Sequence, residues 1–325
     1  MAIFPPECPN YTDPTFDSVM NYGSGAVLIP VAVLSLFFNA VVFHVNLTQQ
    51  RMGTATFLFL VLASSDFIYT LVRVPYVTYN LVNPHVLPGV TNSKPSVLQR
   101  LAGGGGCLAA YTSICAIFGI SIMRFIKLGY PLWAVSHRTA TQVMAVVPMV
   151  VTVLYSVALE LAQICDAFNS TWSNTAQDVL GFNGGRGYDV LILTKMWTVL
   201  APAVLSFFLA LATIAKLYRD QQQSSQINRY SMVTILLLSV GNITWTTQWS
   251  VTAALGEAYF FNKTTSSIKG SACLIFIFYV MMPSVTALYN PLVLCIRTSK
   301  MRAALRNITR HFGINTSVTG YERID

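Results

Sequence analysis

The chain has 325 residues, of which 54% are hydrophobic and only 10% charged, with a formal net charge of +8. Soluble domains carry about 25% charged residues, so this composition excludes a water-soluble globular protein and points to the lipid bilayer. The basic excess requires no nucleic acid: most of it follows the topology described next, and a basic inner edge suits anionic lipid headgroups.

A hydrocarbon core about 30 Å thick takes roughly 20 helical residues to cross. Seven apolar runs meet that length, at 26–45, 56–81, 101–126, 141–162, 190–217, 231–255 and 271–296. They predict an all-α fold, a seven-transmembrane helix bundle, with a tail at 1–25, the bundle at 26–296 and a short amphipathic helix and tail at 297–325. The first run lies too far along the chain, behind Glu7, Asp13 and Asp17, to read as a cleaved signal peptide. Basic residues stay on the cytoplasmic side. Alternating the spans puts thirteen Lys and Arg on the face of the C-terminal tail and six on the opposite face, with Arg73 inside the second run. The N-terminus is therefore expected outside and the C-terminus inside. Glycosylation triplets agree only in part. Those at Asn10, Asn169 and Asn262 fall outside, but those at Asn46, Asn242, Asn307 and Asn315 fall inside or within the membrane, and so short a motif is easily met by chance.

In lipid a polar side chain needs a partner, so polar residues within spans read as functional sites or as helix-packing contacts. The first run holds Asn39. The second holds Asp66 in Leu62-Ala63-Ser64-Ser65-Asp66, near mid-depth, where a bare carboxylate needs either a proton or a cation, and Arg73 further out. The third opens with Gly103 to Gly106, carries Tyr111, Ser113 and Cys115, and closes on Met123-Arg124-Phe125. At a helix end Arg124 is inexpensive, and an ordinary interfacial anchor is the plain alternative to a functional role. The fifth run contains Pro202, the sixth Trp245, and the seventh Asn290-Pro291 in Tyr289-Asn290-Pro291-Leu292-Val293-Leu294. Beyond it, Met301, Leu305 and Ile308 recur at helical spacing among basic residues, which predicts an amphipathic helix on the inner membrane surface.

Taken together, one such motif per span in this order resembles the rhodopsin-like family of G-protein-coupled receptors, in a divergent form. The resemblance covers nearly the whole chain. It implies a plasma-membrane receptor that passes the binding of an extracellular ligand to a heterotrimeric G protein. By position it implies a switch at Arg124, Trp245, Asn290 and Pro291. It further implies a polar core of Asn39, Asp66, Ser113 and Asn290 in which a sodium ion can sit on Asp66, with no other cofactor. The alternative within the core is a neutral Asp66 hydrogen-bonded to Asn290.

The family's ligand site lies in the outer half of the bundle, which here brings in Arg73, Gly106, Tyr111, Trp249 and Tyr279. Gly106 stands near the slot where amine receptors carry an acid, so a biogenic amine is not expected. A peptide or a small molecule, including an acidic one met by Arg73, is expected instead, although Glu160 is an alternative internal partner for that arginine. Aromatic residues in spans also serve as packing or interface anchors. The outer loop bridge of the family suggests Cys107–Cys165, and Cys8–Cys273 is a second candidate disulfide. Cys295 is either an acylation site or a buried thiol.

Several positions depart from the family. Met123 replaces the usual acid before the arginine and Phe125 the usual tyrosine after it. Ile227 and Asn228 stand where a sixth-span acid is expected, and Leu294 and Ala210 replace two tyrosines. Without those acids Arg124 is less restrained, which predicts raised basal activity; without the tyrosines, weak coupling is the competing outcome. An enzyme is not expected, because no His-Glu-x-x-His, phosphate loop or Cys-x-x-Cys is present. A non-signalling seven-span protein, or a small-solute transporter or channel, is the alternative class, although no internal repeat supports it.

Overall fold

The computed structural model describes residues 24–49, 52–82, 97–168, 186–219, 233–244, 246 and 284–311. Among them every regular element is a helix: α1 Ser24–Leu47, α2 Thr54–Val82, α3 Val97–Gly129, α4 Pro131–Ser136, α5 Arg138–Phe168 and α6 Arg186–Arg219. Two further helical segments follow, α7 at Val233–Thr244 and α8 at 284–297, then α9 at Ser299–His311. Four of these helices, α1, α2, α3 and α5, contain stretches long and apolar enough to cross a membrane, and α6 and α7 contain shorter apolar ones. In hydrocarbon a helix is the natural answer to such sequences, because it satisfies its backbone groups internally.

The packing is centred on α3, which lies against α2, α5 and α6, while α2 also packs on α1. One apolar core runs through the described spans and includes Val42 of α1, Leu62 of α2, Ile120 of α3, Ala145 of α5, Leu238 of α7 and Leu294 of α8. Close helix approach depends on small residues in membranes, and Gly119 provides it. A Cβ there would lie 2.5 Å from the Ala145 carbonyl oxygen and 3.3 Å from Leu58 Cδ2, so the α3 and α5 backbones meet where α2 also arrives.

Polar side chains tie the turn between α1 and α2. Gln49 donates to Asn46 Oδ1 at 3.3 Å and accepts from Thr56 Oγ1 at 3.2 Å, which joins the end of α1 to the start of α2. Asn46 itself is buried. The six-residue α4 was not anticipated; Pro131 at its first turn is the signal for it, because a proline there gives up no helical hydrogen bond. Lys216 of α6 reaches across to this turn, its Nζ 3.5 Å from the centre of the Tyr130 ring. After Thr298 the chain re-enters a helix, α9, whose Met301, Ala304, Leu305 and Ile308 pack on the common core while Lys300, Arg306 and Arg310 face outward.

Candidate functional site

Proline 291 determines the first half of the site. It sits inside α8 and has no amide hydrogen, so the Ala287 carbonyl one turn earlier loses its helical donor. Helix α1 supplies the replacement: Ser35 Oγ donates to Ala287 O at 2.9 Å and Asn39 Nδ2 does so at 3.0 Å. Asn39 also donates to the Ser35 carbonyl at 2.9 Å and to Ser35 Oγ at 3.2 Å. Ser35 Oγ in turn lies 2.8 Å from Thr70 Oγ1, and Thr70 Oγ1 donates to the Asp66 carbonyl at 2.7 Å. Asn39 and the Asp66 backbone thus lie at the two ends of a pair of hydroxyls, one of which gives up its carbonyl when the pair bond to each other, and no hydrogen bond joins Asn39 to the Asp66 carboxylate.

The second half is the junction around Asn290. Its Nδ2 donates to Asp66 Oδ2 at 3.0 Å and to Ser113 Oγ at 3.4 Å, and its Oδ1 accepts from Asn242 Nδ2 at 3.4 Å. Ser113 is also a side-chain hydrogen-bond partner of Asp66. One amide thus joins α2, α3, α7 and α8. All four of these side chains are buried, Asn290 and Asn242 completely. Asn242 Oδ1 and Asn39 Oδ1 are buried acceptors with no partner among the described residues. A buried polar group left unmade is costly, so oxygens of this kind are where water or a hard cation gains most. Among the described residues no group of three or more His, Cys, Asp or Glu could hold a metal; Asp66 is the one carboxylate at the junction.

At the C-terminal end of α3, Arg124 is partly buried and its Nε has no hydrogen-bond partner among the described residues. The residue before it, Met123, is 1% exposed and belongs to the apolar core. Leu294 and Ala210, the two positions where the resemblance calls for tyrosine, are buried in that core as well. Sequence reasoning missed the adjacent α4, whose Leu132 and Val135 are 87% and 81% exposed. It also missed Ser35, Thr70 and Asn242 as members of the polar network. For Ser35 a signal was available, since Pro291 implies a free carbonyl that some neighbour must satisfy.

Of the residues expected to line the ligand site, Gly106 and Tyr111 are buried in α3. The backbone of Arg73 lies in α2, but its side chain and that of Glu160 fall outside the described residues, as do Trp245, Trp249 and Tyr279. Both candidate disulfides, Cys107–Cys165 and Cys8–Cys273, also fall outside them. Cys115 and Cys295 are buried free thiols. Cys295 is fully enclosed in the core, as the packed-thiol alternative expects.

A chain whose described elements are all helices, four of them long and apolar enough to cross a membrane, with a buried polar junction between helices, belongs to the class of multi-span membrane proteins. Within that class, comparison narrows the field. The chain is similar to a human protein, "Putative G-protein coupled receptor GPR32P1", with 28% identity over 241 residues that cover 67% of this chain and 82% of the relative. No family model matches. This similarity bears out the resemblance to G-protein-coupled receptors carried by the span motifs.

Proposed function

We propose that the chain is a seven-span receptor that transmits the binding of an extracellular ligand to an intracellular heterotrimeric G protein, from the plasma membrane and with its N-terminus outside. The observation that supports this most directly is the buried Asp66–Ser113–Asn290–Asn242 junction. Polar groups at mid-depth in a membrane are expensive and are kept for function. This junction ties four helices through one amide, so a rearrangement on the outer side is felt by all four. Ser113 and Arg124 lie on the same helix, about 16 Å apart along its axis at 1.5 Å per residue, and α3 carries a shift at one to the other as a rigid rod.

At the inner end Arg124 faces no acid from Met123, and its Nε is unpartnered among the described residues. Both facts favour raised basal activity. Exposed Leu132 and Val135 on α4 offer an apolar contact beside it for the G protein. A sodium ion would find one carboxylate in Asp66 and neutral oxygens in Ser113 and, with its amide and that of Asn242 both turned over, Asn290. This donor set suits a hard monovalent cation, which would supply the counter-charge that an ionised Asp66 needs. For the ligand, Gly106 in place of an acid argues against a biogenic amine; Arg73, Tyr111, Trp249 and Tyr279 suit a peptide or a small acidic molecule.

The test is guanine-nucleotide exchange on purified G protein by the reconstituted chain. Exchange without added ligand that disappears in Arg124→Ala supports the receptor. Solute or ion flux across the same vesicles with no exchange in any condition would replace it with a transporter or channel.

A further inference from the structure

Two consecutive residues of α7 meet two consecutive residues of α8. Asn242 touches Asn290, and one position earlier on each helix the ring of Tyr289 lies on Gly241. A Cβ built at Gly241 would collide with Tyr289 Cε1 and lie 2.6 Å from Cδ1, so the ring occupies the space that any side chain at 241 would need. Across from it, the Tyr289 hydroxyl donates to the Leu237 carbonyl at 2.9 Å. That carbonyl is the regular helical acceptor for the amide of residue 241, four positions on. The phenol is therefore anchored on the same helical turn that glycine leaves weakest.

We propose that Gly241 and Tyr289 form a latch, in which the phenol, seated on the glycine and tied to the Leu237 carbonyl, holds α7 against α8 and so fixes the pose in which Asn290 meets Asp66 and Ser113. Residues 289 and 290 follow each other on one helix, so a shift of α8 that unseats the ring also carries the Asn290 amide away from its partners. Tyr289 touches neither Asp66 nor Ser113; it is a positioning residue for the junction. The latch is a property of the bundle and needs neither ligand nor G protein, so it is tested apart from the receptor reading.

Hydrogen–deuterium exchange on the full chain in detergent or nanodiscs reads it directly. Peptides covering 237–242 of α7 and 62–70 of α2 are followed, with 143–154 of α5 as an internal reference. Tyr289→Phe keeps the ring and loses only the hydroxyl. It is expected to speed exchange about threefold in both followed segments, the factor carried by an average interhelical hydrogen bond in a membrane protein, and to leave α5 unchanged. Gly241→Ala supplies a test of sign. Alanine is the better helix former, so propensity alone predicts slower exchange in α7, whereas eviction of the ring predicts faster exchange in α7 and α2.

Unchanged exchange in Tyr289→Phe overturns the latch, and so does slower exchange in Gly241→Ala. Faster exchange confined to α7, with 62–70 unmoved, overturns the coupling to Asn290. Should Gly241→Ala fail to fold, Tyr289→Phe decides alone.

Discussion

Helices α3 and α5 are both apolar enough to span a membrane, yet 67% of the α3 span is buried within the protein against 22% of α5. One is solvated by other helices, the other by lipid. The difference is written in their small and polar residues. Helix α3 brings Gly119 and Ser113 to its neighbours, while buried Ser121 bonds back to the Ile117 carbonyl of its own helix. Helix α5 turns Val147, Val151, Leu154 and Tyr155 outward. Hydrophobicity places a helix in the bilayer, and the small and polar positions decide where in the bundle it stands.

Substitutions on the two helices break or sharpen this contrast. The largest effect is expected at Leu154, which is 63% exposed near the middle of α5. Leu154→Lys puts a charge into lipid and should cost about 2.5–3.5 kcal/mol of insertion, read from a glycosylation-reporter insertion assay; full insertion would mean that α5 does not face hydrocarbon. Next comes Gly119→Val, where the added side chain meets the Ala145 carbonyl and Leu58. Overpacking of this kind costs about 1–3 kcal/mol and should lower the melting temperature in detergent, whereas an unchanged melt would deny the close α3–α5 approach. Asp66→Ala takes the shorter of its two acceptors from the Asn290 amide, leaving only the longer bond to Ser113, and a loss of about 1–3 kcal/mol should appear in the same melt. The smallest change is expected for Leu154→Ile, within about 0.5 kcal/mol, because a lipid-facing methyl has no fitted neighbour to lose.

How much of this was legible in the chain depends on the distance over which each signal acts. Helices α1, α2, α3 and α5 follow from continuous apolar runs, and the α9 pattern from three apolar residues at helical spacing. Asp66 and Asn290 stand out because charge and amide are rare at mid-depth, and the motif resemblance already pairs them. Asn242 did not stand out, because it heads a glycosylation triplet and sits in a run of Ser and Thr residues that mostly bond to their own helix, as Thr246 does. Ser35 and Thr70 are hidden in the same way, since small hydroxyls in spans usually satisfy themselves on the preceding turn. The match of Gly241 to Tyr289 is hidden more deeply still: 48 residues separate them, and shape complementarity leaves no local trace. The α4 turn was overlooked for want of length, although Pro131 marks its start.

The claim on which the account rests is that Asp66 and Asn290 act as one buried unit across α2 and α8, and a reciprocal exchange tests it directly. Asp66→Asn and Asn290→Asp are made singly and together, and basal nucleotide exchange on G protein is measured for each at matched surface expression. The account predicts that each single change depresses exchange and that the swapped pair, which restores one carboxylate facing one amide, recovers most of it. If the pair were only as active as the product of the two single losses, the residues would be acting separately, and the junction would be packing rather than a switch.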